Sequence, residues 1–177
     1  MKTDSAHTET TNQEILQIRA RKLAQSMPDE NIRQDAFSVV EFRIAHEIYA
    51  LGLQRIRVIH PLKELTFIPG TPDFIKGVIN LRGEIISVID LKVFFDLPDQ
   101  GNTRLSQVII LTSDQMEFGI LADEILGVGE ISKNDIHASL PTLTGIRADY
   151  LKGVTANGVV VLDDEKLLAD EKMCINL

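Results

Sequence analysis

Phe74-Ile75-Lys76-Gly77-Val78-Ile79-Asn80-Leu81-Arg82-Gly83-Glu84-Ile85-Ile86-Ser87-Val88-Ile89-Asp90-Leu91 decides the fold of this chain. Two apolar runs flank a polar corner, Arg82-Gly83-Glu84. Glycine at the first central position is what a type II′ hairpin turn requires, because only glycine takes a positive φ there without strain. The stretch therefore reads as strand, corner, strand, with Asn80 and Arg82 carried at the corner.

Working outward, the pattern before it has period two. Val40, Phe42 and Ile44 alternate with Glu41 and Arg43, Ala45-His46-Glu47 turns the chain, and Tyr49, Leu51 and Leu53 alternate again. This is a hairpin of half-buried strands. Ile56, Val58 and His60 continue extended as far as Pro61, and Pro69, Gly70 and Pro72 mark a loop. After the corner hairpin, Leu91 to Leu97 reads as a short helix stopped by Pro98, and 99–103 as a connector.

The second half repeats the theme. Val108-Ile109-Ile110-Leu111 is a buried strand, Ser113-Asp114-Gln115 a turn, and Glu117 to Ile125 a further strand whose layout echoes Glu47 to Ile56. That echo suggests two related barrels. Ser139 to Ala148 is a loop. Leu151 to Val154 and Val159 to Leu162 form a last hairpin on Asn157-Gly158. Asp163 caps a C-terminal helix with Leu167 and Leu168 facing inward. Short strands, frequent turns and few helices point to small barrels or a sandwich.

Residues 1–36 differ. Thr11-Asn12-Gln13-Glu14 has capping-box spacing, and Leu16, Ala20, Leu23 and Met27 recur at helical spacing up to Pro28. This predicts an amphipathic helix, resting on its own domain or reaching to a partner, followed by a polar linker from Asp29 to Asp35.

Composition narrows the function. The chain has 177 residues, 44% hydrophobic and 25% charged, with a net charge of −8. An acidic chain is a poor partner for nucleic acid or anionic lipid. No run reaches the ~18 to 20 apolar residues of a membrane span, and the start has no signal-peptide core. A single cysteine, Cys174, forms no internal disulfide, and a cytoplasmic location is the default. No glycine-rich phosphate loop is present, since Gly127-Val128-Gly129 lacks the third glycine. His7, His46, His60 and His137 lie apart, without metal-ligand spacing. Asp163-Asp164-Glu165 reads as a helix cap and solvated face, and Asp123-Glu124 points to opposite sides of a strand. No catalytic residue, metal or cofactor is expected.

The stretch from Pro72 to Leu91, with the Tyr49 strand, Phe118-Gly119-Ile120, Tyr150-Leu151-Lys152-Gly153 and Leu162-Asp163-x-x-x-Leu167-Leu168, closely resembles the CheW family of bacterial chemotaxis coupling proteins, over about residues 37–172. The resemblance implies a mainly β fold: two five-stranded SH3-like barrels with a C-terminal helix, here preceded by the N-terminal helix. It places a first barrel at 37–104, a second at 105–162 and the helix at 163–172, after an extension at 1–36. It implies a non-enzymatic scaffold that couples the helical hairpin of a chemoreceptor to the regulatory domain of a CheA-type histidine kinase. Ile56, Val78, Asn80, Arg82 and Val88 fall on the expected receptor groove, and Lys76 and Gly77 on the expected kinase face. Arg82 is the strongest candidate, since its fork can bond carbonyls or a carboxylate, against a local tie to Glu84 or Asp90. Ser87 stands where many members carry proline, and the hairpin around Thr155 to Gly158 is shorter than usual. An adaptor for pilus or second-messenger pathways, and a small-ligand-binding barrel or hydrolase, are the other readings.

Overall fold

A computed structural model describes residues 35–98, 106–137 and 146–174. The expected helix at 11–27, its linker as far as residue 34 and the 99–103 connector lie outside the described residues. The chain divides into two compact units, and the account below concerns Phe37–Leu177.

The strands are β1 (Ala36–Ile44), β2 (Glu47–Gly52), β3 (Ile56–Pro61), β4 (Ile75–Leu81), β5 (Glu84–Ile89), β6 (Gln107–Thr112), β7 (Glu117–Ala122), β8 (Glu124–Ser132), β9 (Ile136–His137), β10 (Leu151–Thr155) and β11 (Val160–Leu162). The α-helices are α1 (Leu91–Phe94), α2 (Ile146–Asp149) and α3 (Asp164–Ala169). They form two sheets, in the order β8-β1-β2-β11-β10-β9 and β3-β6-β7-β5-β4. The fold is mainly β with twin sheets, as expected.

The sheets do not follow the sequential division at 104/105. The sheet containing β1 and β2 takes its remaining strands from 124–162, and the other sheet occupies 56–122. The two orders superpose as β8-β1-β2-β11-β10 on β3-β6-β7-β5-β4, so each hairpin hands its following strand to the other sheet. Asp123 holds one of these crossings. Its backbone N–H donates to Arg43 O (3.0 Å), its carboxylate accepts from Ala45 N (2.6 Å), and Lys92 Nζ lies 3.3 Å away. Those bonds turn the chain from β7 onto β1, where the sequence suggested one strand from Glu117 to Ile125.

A second echo marks the same two-fold relation. Phe74-Ile75-Lys76-Gly77-Val78 opens β4 and Tyr150-Leu151-Lys152-Gly153-Val154 opens β10. Both pairings slip register at the glycine, and Asp90 N and Asp163 N donate to Phe74 O and Tyr150 O at 2.8 Å. Asp90 and Asp163 then cap α1 and α3 by accepting from Lys92 N and Lys166 N, which satisfies otherwise orphan helix donors.

The period of two explains the core. In β6, Val108 and Ile110 face a cluster inside the five-stranded sheet with Val88 and Leu121, whereas Ile109 and Leu111 face a larger cluster shared by both sheets. In β2, Tyr49 and Leu51 face the shared cluster and Ala50 faces the interior of its own sheet. Strands buried on both faces read as continuous apolar runs. Phe94, Phe95, Leu167, Leu168 and Met173 join the shared cluster. Each such side chain contributes roughly 1.5–3 kcal/mol of burial.

Candidate functional site

The corner differs from its expected turn. Leu81 pairs with Glu84, so Arg82 and Gly83 are the central residues, with φ of +56° and +95°. Two positive values define type I′, whose twist suits the flanking strands. Arg82 thus takes a left-handed conformation that costs a non-glycine residue roughly 1–2 kcal/mol. Asn80 Oδ1 accepts from Gly83 N (2.8 Å) and closes the turn.

The local ties considered for Arg82 are absent among the described residues. Glu84 pairs with Arg57 (2.7 Å), which also grips both carboxylate oxygens of Glu117. Those bonds raise the guanidinium pKa further above its ordinary value. Asp90 is buried and caps α1. Arg82 is exposed beside Ile85, which is also exposed.

The five groove candidates separate. Asn80 and Arg82 stand exposed at the corner, and Ile56 is half-buried against the shared core. Arg57, next to Ile56, reaches Glu84, so the start of β3 and the corner lie at one end of the sheet. Val88 is 0% exposed inside the five-stranded sheet, and Val78 is buried where Thr66 bridges it. Alternation turns Val88 into the sheet's own cluster, while Val78 pairs with Ser87 on the opposite face, which carries the exposed Asn80 and Ile85. Beside Asn80 lies a cleft of about 330 Å³ lined by His60, Leu62, Lys63 and Glu64.

Of the kinase-face candidates, Lys76 is half-buried and Gly77 fully covered. Gly77 has φ +144°, and a Cβ there would lie 2.1 Å from Thr66 O. The absence of a Cβ lets the Thr66 backbone pass close by.

Sequence reading passed over β8. Leu126 and Val128 on it are 38% and 67% exposed, while Ile125 packs on the shared core as Ile56 does from β3. The two exchanged strands therefore both flank that core. Gly127 between Leu126 and Val128, with φ +146°, disturbs the alternation that would have signalled the strand. Asp123 and Glu124 diverge as expected, Asp123 towards Ala45 and Glu124 towards Arg43. Asp164 departs from the solvated face expected of it: it is buried and pairs with Lys152, because α3 lies against Gly52.

Arg147 was also missed. Buried on α2, it donates to Tyr49 Oη (2.7 Å), pairs with Glu47, and stacks 5.5 Å from the Tyr49 ring centre. Tyr49 Oη donates to Glu47 (2.6 Å). Burial, then the Glu47 bond, push the Tyr49 pKa well above the usual tyrosine value. Tyr150, edge-on to Phe94, is pushed up to about 12 by desolvation and by its bond to Asp170.

Among the described residues no group of three or more His, Cys, Asp or Glu is placed to hold a metal, and no helix is long and apolar enough to cross a membrane.

These features define a class: a twin-sheet β domain with exposed apolar side chains on β8 and an exposed charged corner. Residues 38–172 match the family model for the CheW-like domain. The chemotaxis protein CheW of Treponema pallidum is 30% identical, covering 80% of this chain and 88% of the relative. That of Klebsiella aerogenes is 33% identical over 76% and 82%. The crystal structure of the scaffolding protein TtCheW from Thermoanaerobacter tengcongensis matches with a TM-score of 0.63 and 32% identity, over 71% of this chain and 88% of that one. This chain belongs to the CheW family.

Proposed function

We propose that this protein is a cytoplasmic, non-enzymatic adaptor that couples a chemoreceptor to a CheA-type histidine kinase in chemotaxis signalling. The receptor's helical hairpin docks on the exchanged strands and the corner, where Ile56, Leu126, Val128, Asn80 and Arg82 offer apolar and forked polar contacts. This is helix-in-groove recognition. The kinase's regulatory domain takes the Lys76 side of β4. Binding both partners at once lets a change in one contact bias the other by typically about 1–3 kcal/mol.

The observation that carries this reading is Arg82. It occupies a costly backbone conformation at an exposed corner, with no hydrogen bond or ion pair among the described residues. Local strain without a local contact argues for a partner. Asn-Gly is the preferred type I′ pair, so Arg82→Asn is expected to raise stability by about 0.5–1 kcal/mol while weakening ternary assembly at least about tenfold. Arg82→Ala is expected to weaken assembly with the fold intact. Thermal unfolding and receptor-stimulated kinase activity are the measurements. Full kinase activation by both variants refutes the assignment.

A further inference from the structure

Two carboxylates and two guanidinium groups meet at the end of the five-stranded sheet where the corner stands, and only one of the arginines is paired. Arg57 Nη1, at the start of β3, lies 2.7 Å from Glu84 Oε2 and 2.7 and 2.8 Å from the two carboxylate oxygens of Glu117. Glu84 opens β5 and Glu117 opens β7, so one side chain joins three strands. All three are partly open to water, and exposed ion pairs add little to stability. Stability therefore gives a poor account of the arrangement.

Glu84 is two residues from Arg82, across Gly83, in a turn whose ends are Leu81 and Glu84. Its side chain is 54% exposed. A carboxylate so close attracts the Arg82 guanidinium, a planar fork well matched to it. Yet Arg82 has no hydrogen bond or ion pair among the described residues. Asn80, the corner's other polar side chain, is occupied by Gly83 N. What engages Glu84 instead is Arg57, which reaches it from a strand outside the hairpin.

We propose that Arg57 is a positioning residue for the docking corner: by binding Glu84 it keeps that carboxylate off Arg82 and leaves the Arg82 guanidinium open to the incoming receptor helix. The inference rests on the coupling function proposed above and concerns how its corner is kept available. Without Arg57, Glu84 has no cation but Arg82 beside it, and the two pair. The receptor then has to break that pair before it docks, and the cost appears as lower affinity. An exposed ion pair corresponds to a factor of about two to five.

The test uses the full chain and the receptor's signalling fragment at low ionic strength. Arg57→Gln is expected to weaken receptor binding about two- to fivefold, by a margin that shrinks as salt is added. Glu84→Gln alone is expected to bind no more weakly than the unaltered chain. Arg57→Gln combined with Glu84→Gln is expected to recover most of the affinity, although every Arg57 contact is still missing. An arginine that only tied strands together, or that touched the receptor itself, would show no such rescue, and a double variant as weak as Arg57→Gln overturns the inference. In an Arg82→Ala background Arg57→Gln is expected to add nothing, and an added loss also overturns it. A second measurement needs no receptor. NMR of the arginine side-chain N–H groups should show Arg82 exchanging more slowly with water in Arg57→Gln and reverting in the double variant, and an unchanged Arg82 signal overturns the inference by itself. If Arg82→Ala binds receptor as the unaltered chain does, the reading of the corner fails, and the NMR result still decides whether Arg57 holds Glu84 away from Arg82.

Discussion

Replacing Glu47 by Gln should destabilise the protein more than replacing Arg147 by Met, although both break the same ion pair. The pair is lopsided. The Arg147 side chain is 10% exposed and that of Glu47 42%. Glu47→Gln leaves a buried guanidinium with Tyr49 Oη and a neutral amide for company. Stranding a buried charge costs about 3–5 kcal/mol, and the remaining tyrosine contact places this case near about 3. Arg147→Met leaves a carboxylate that water reaches and that still accepts from Tyr49. It loses the charge-assisted bonds, about 1.5–3 kcal/mol, and the contact with the Tyr49 ring, about 0.5–1. Against that, it removes the buried Arg147 Nε, which has no partner among the described residues and costs about 1–3 kcal/mol. The net loss is about 1 kcal/mol. At about 3 °C per kcal/mol for a domain of this size, Glu47→Gln should lower the midpoint by about 9 °C and Arg147→Met by about 3 °C. Calorimetry and denaturant titration measure both, and the double variant supplies the coupling. A loss in Arg147→Met equal to or larger than that in Glu47→Gln refutes the argument from unequal burial.

Two further outcomes are accessible. The chain has two tyrosines and no tryptophan, so tyrosinate absorbance reads Tyr49 and Tyr150 cleanly. Both are held above the ordinary tyrosine value, so the native protein should show little tyrosinate at pH 10.5 where the unfolded chain shows much. Because the folded values are raised, the stability involved is complete below about pH 10 and is lost as pH rises through about 12 for Tyr150. Tyr150→Phe should flatten that alkaline decline. Gly119→Ala would place a Cβ 2.5 Å from Val108 Cγ1, an overpacking expected to cost about 1–3 kcal/mol. Val108→Ala in the same chain should recover part of that loss, and simple additivity in denaturant unfolding would count against the clash.

Much of this protein was legible in the chain, at the level of local chemistry. Alternation in Val40 to Ile44 and the unbroken run Val108 to Leu111 foretold half-buried and doubly buried strands, because side chains alternate whatever the sheet does. Asp163 announced a helix start through its capping chemistry. The corner was found, but its turn type was not. The type depends on whether Glu84 pairs with Leu81, a register that only the partner strand sets. That Val88 is buried inside its own sheet was not legible, because the motif names positions without saying which face is covered. β8 escaped because Gly127 interrupts its pattern and two of its apolar groups, Leu126 and Val128, point outward.

Sequence alone determined that this is a mainly β chain with a glycine-cornered hairpin at its centre, since period, turn residues and caps are properties of neighbouring positions; its adaptor role came from the family resemblance. Tertiary structure alone decided that β3 and β8 change sheets, that Asp123 and Arg147 clamp distant elements, and that Arg82 faces outward while Val88 does not. These depend on which strands meet from distant parts of the chain, as β2 and β11 or β3 and β6 do, and such pairings are chosen by the shared burial of both sheets rather than by any local signal.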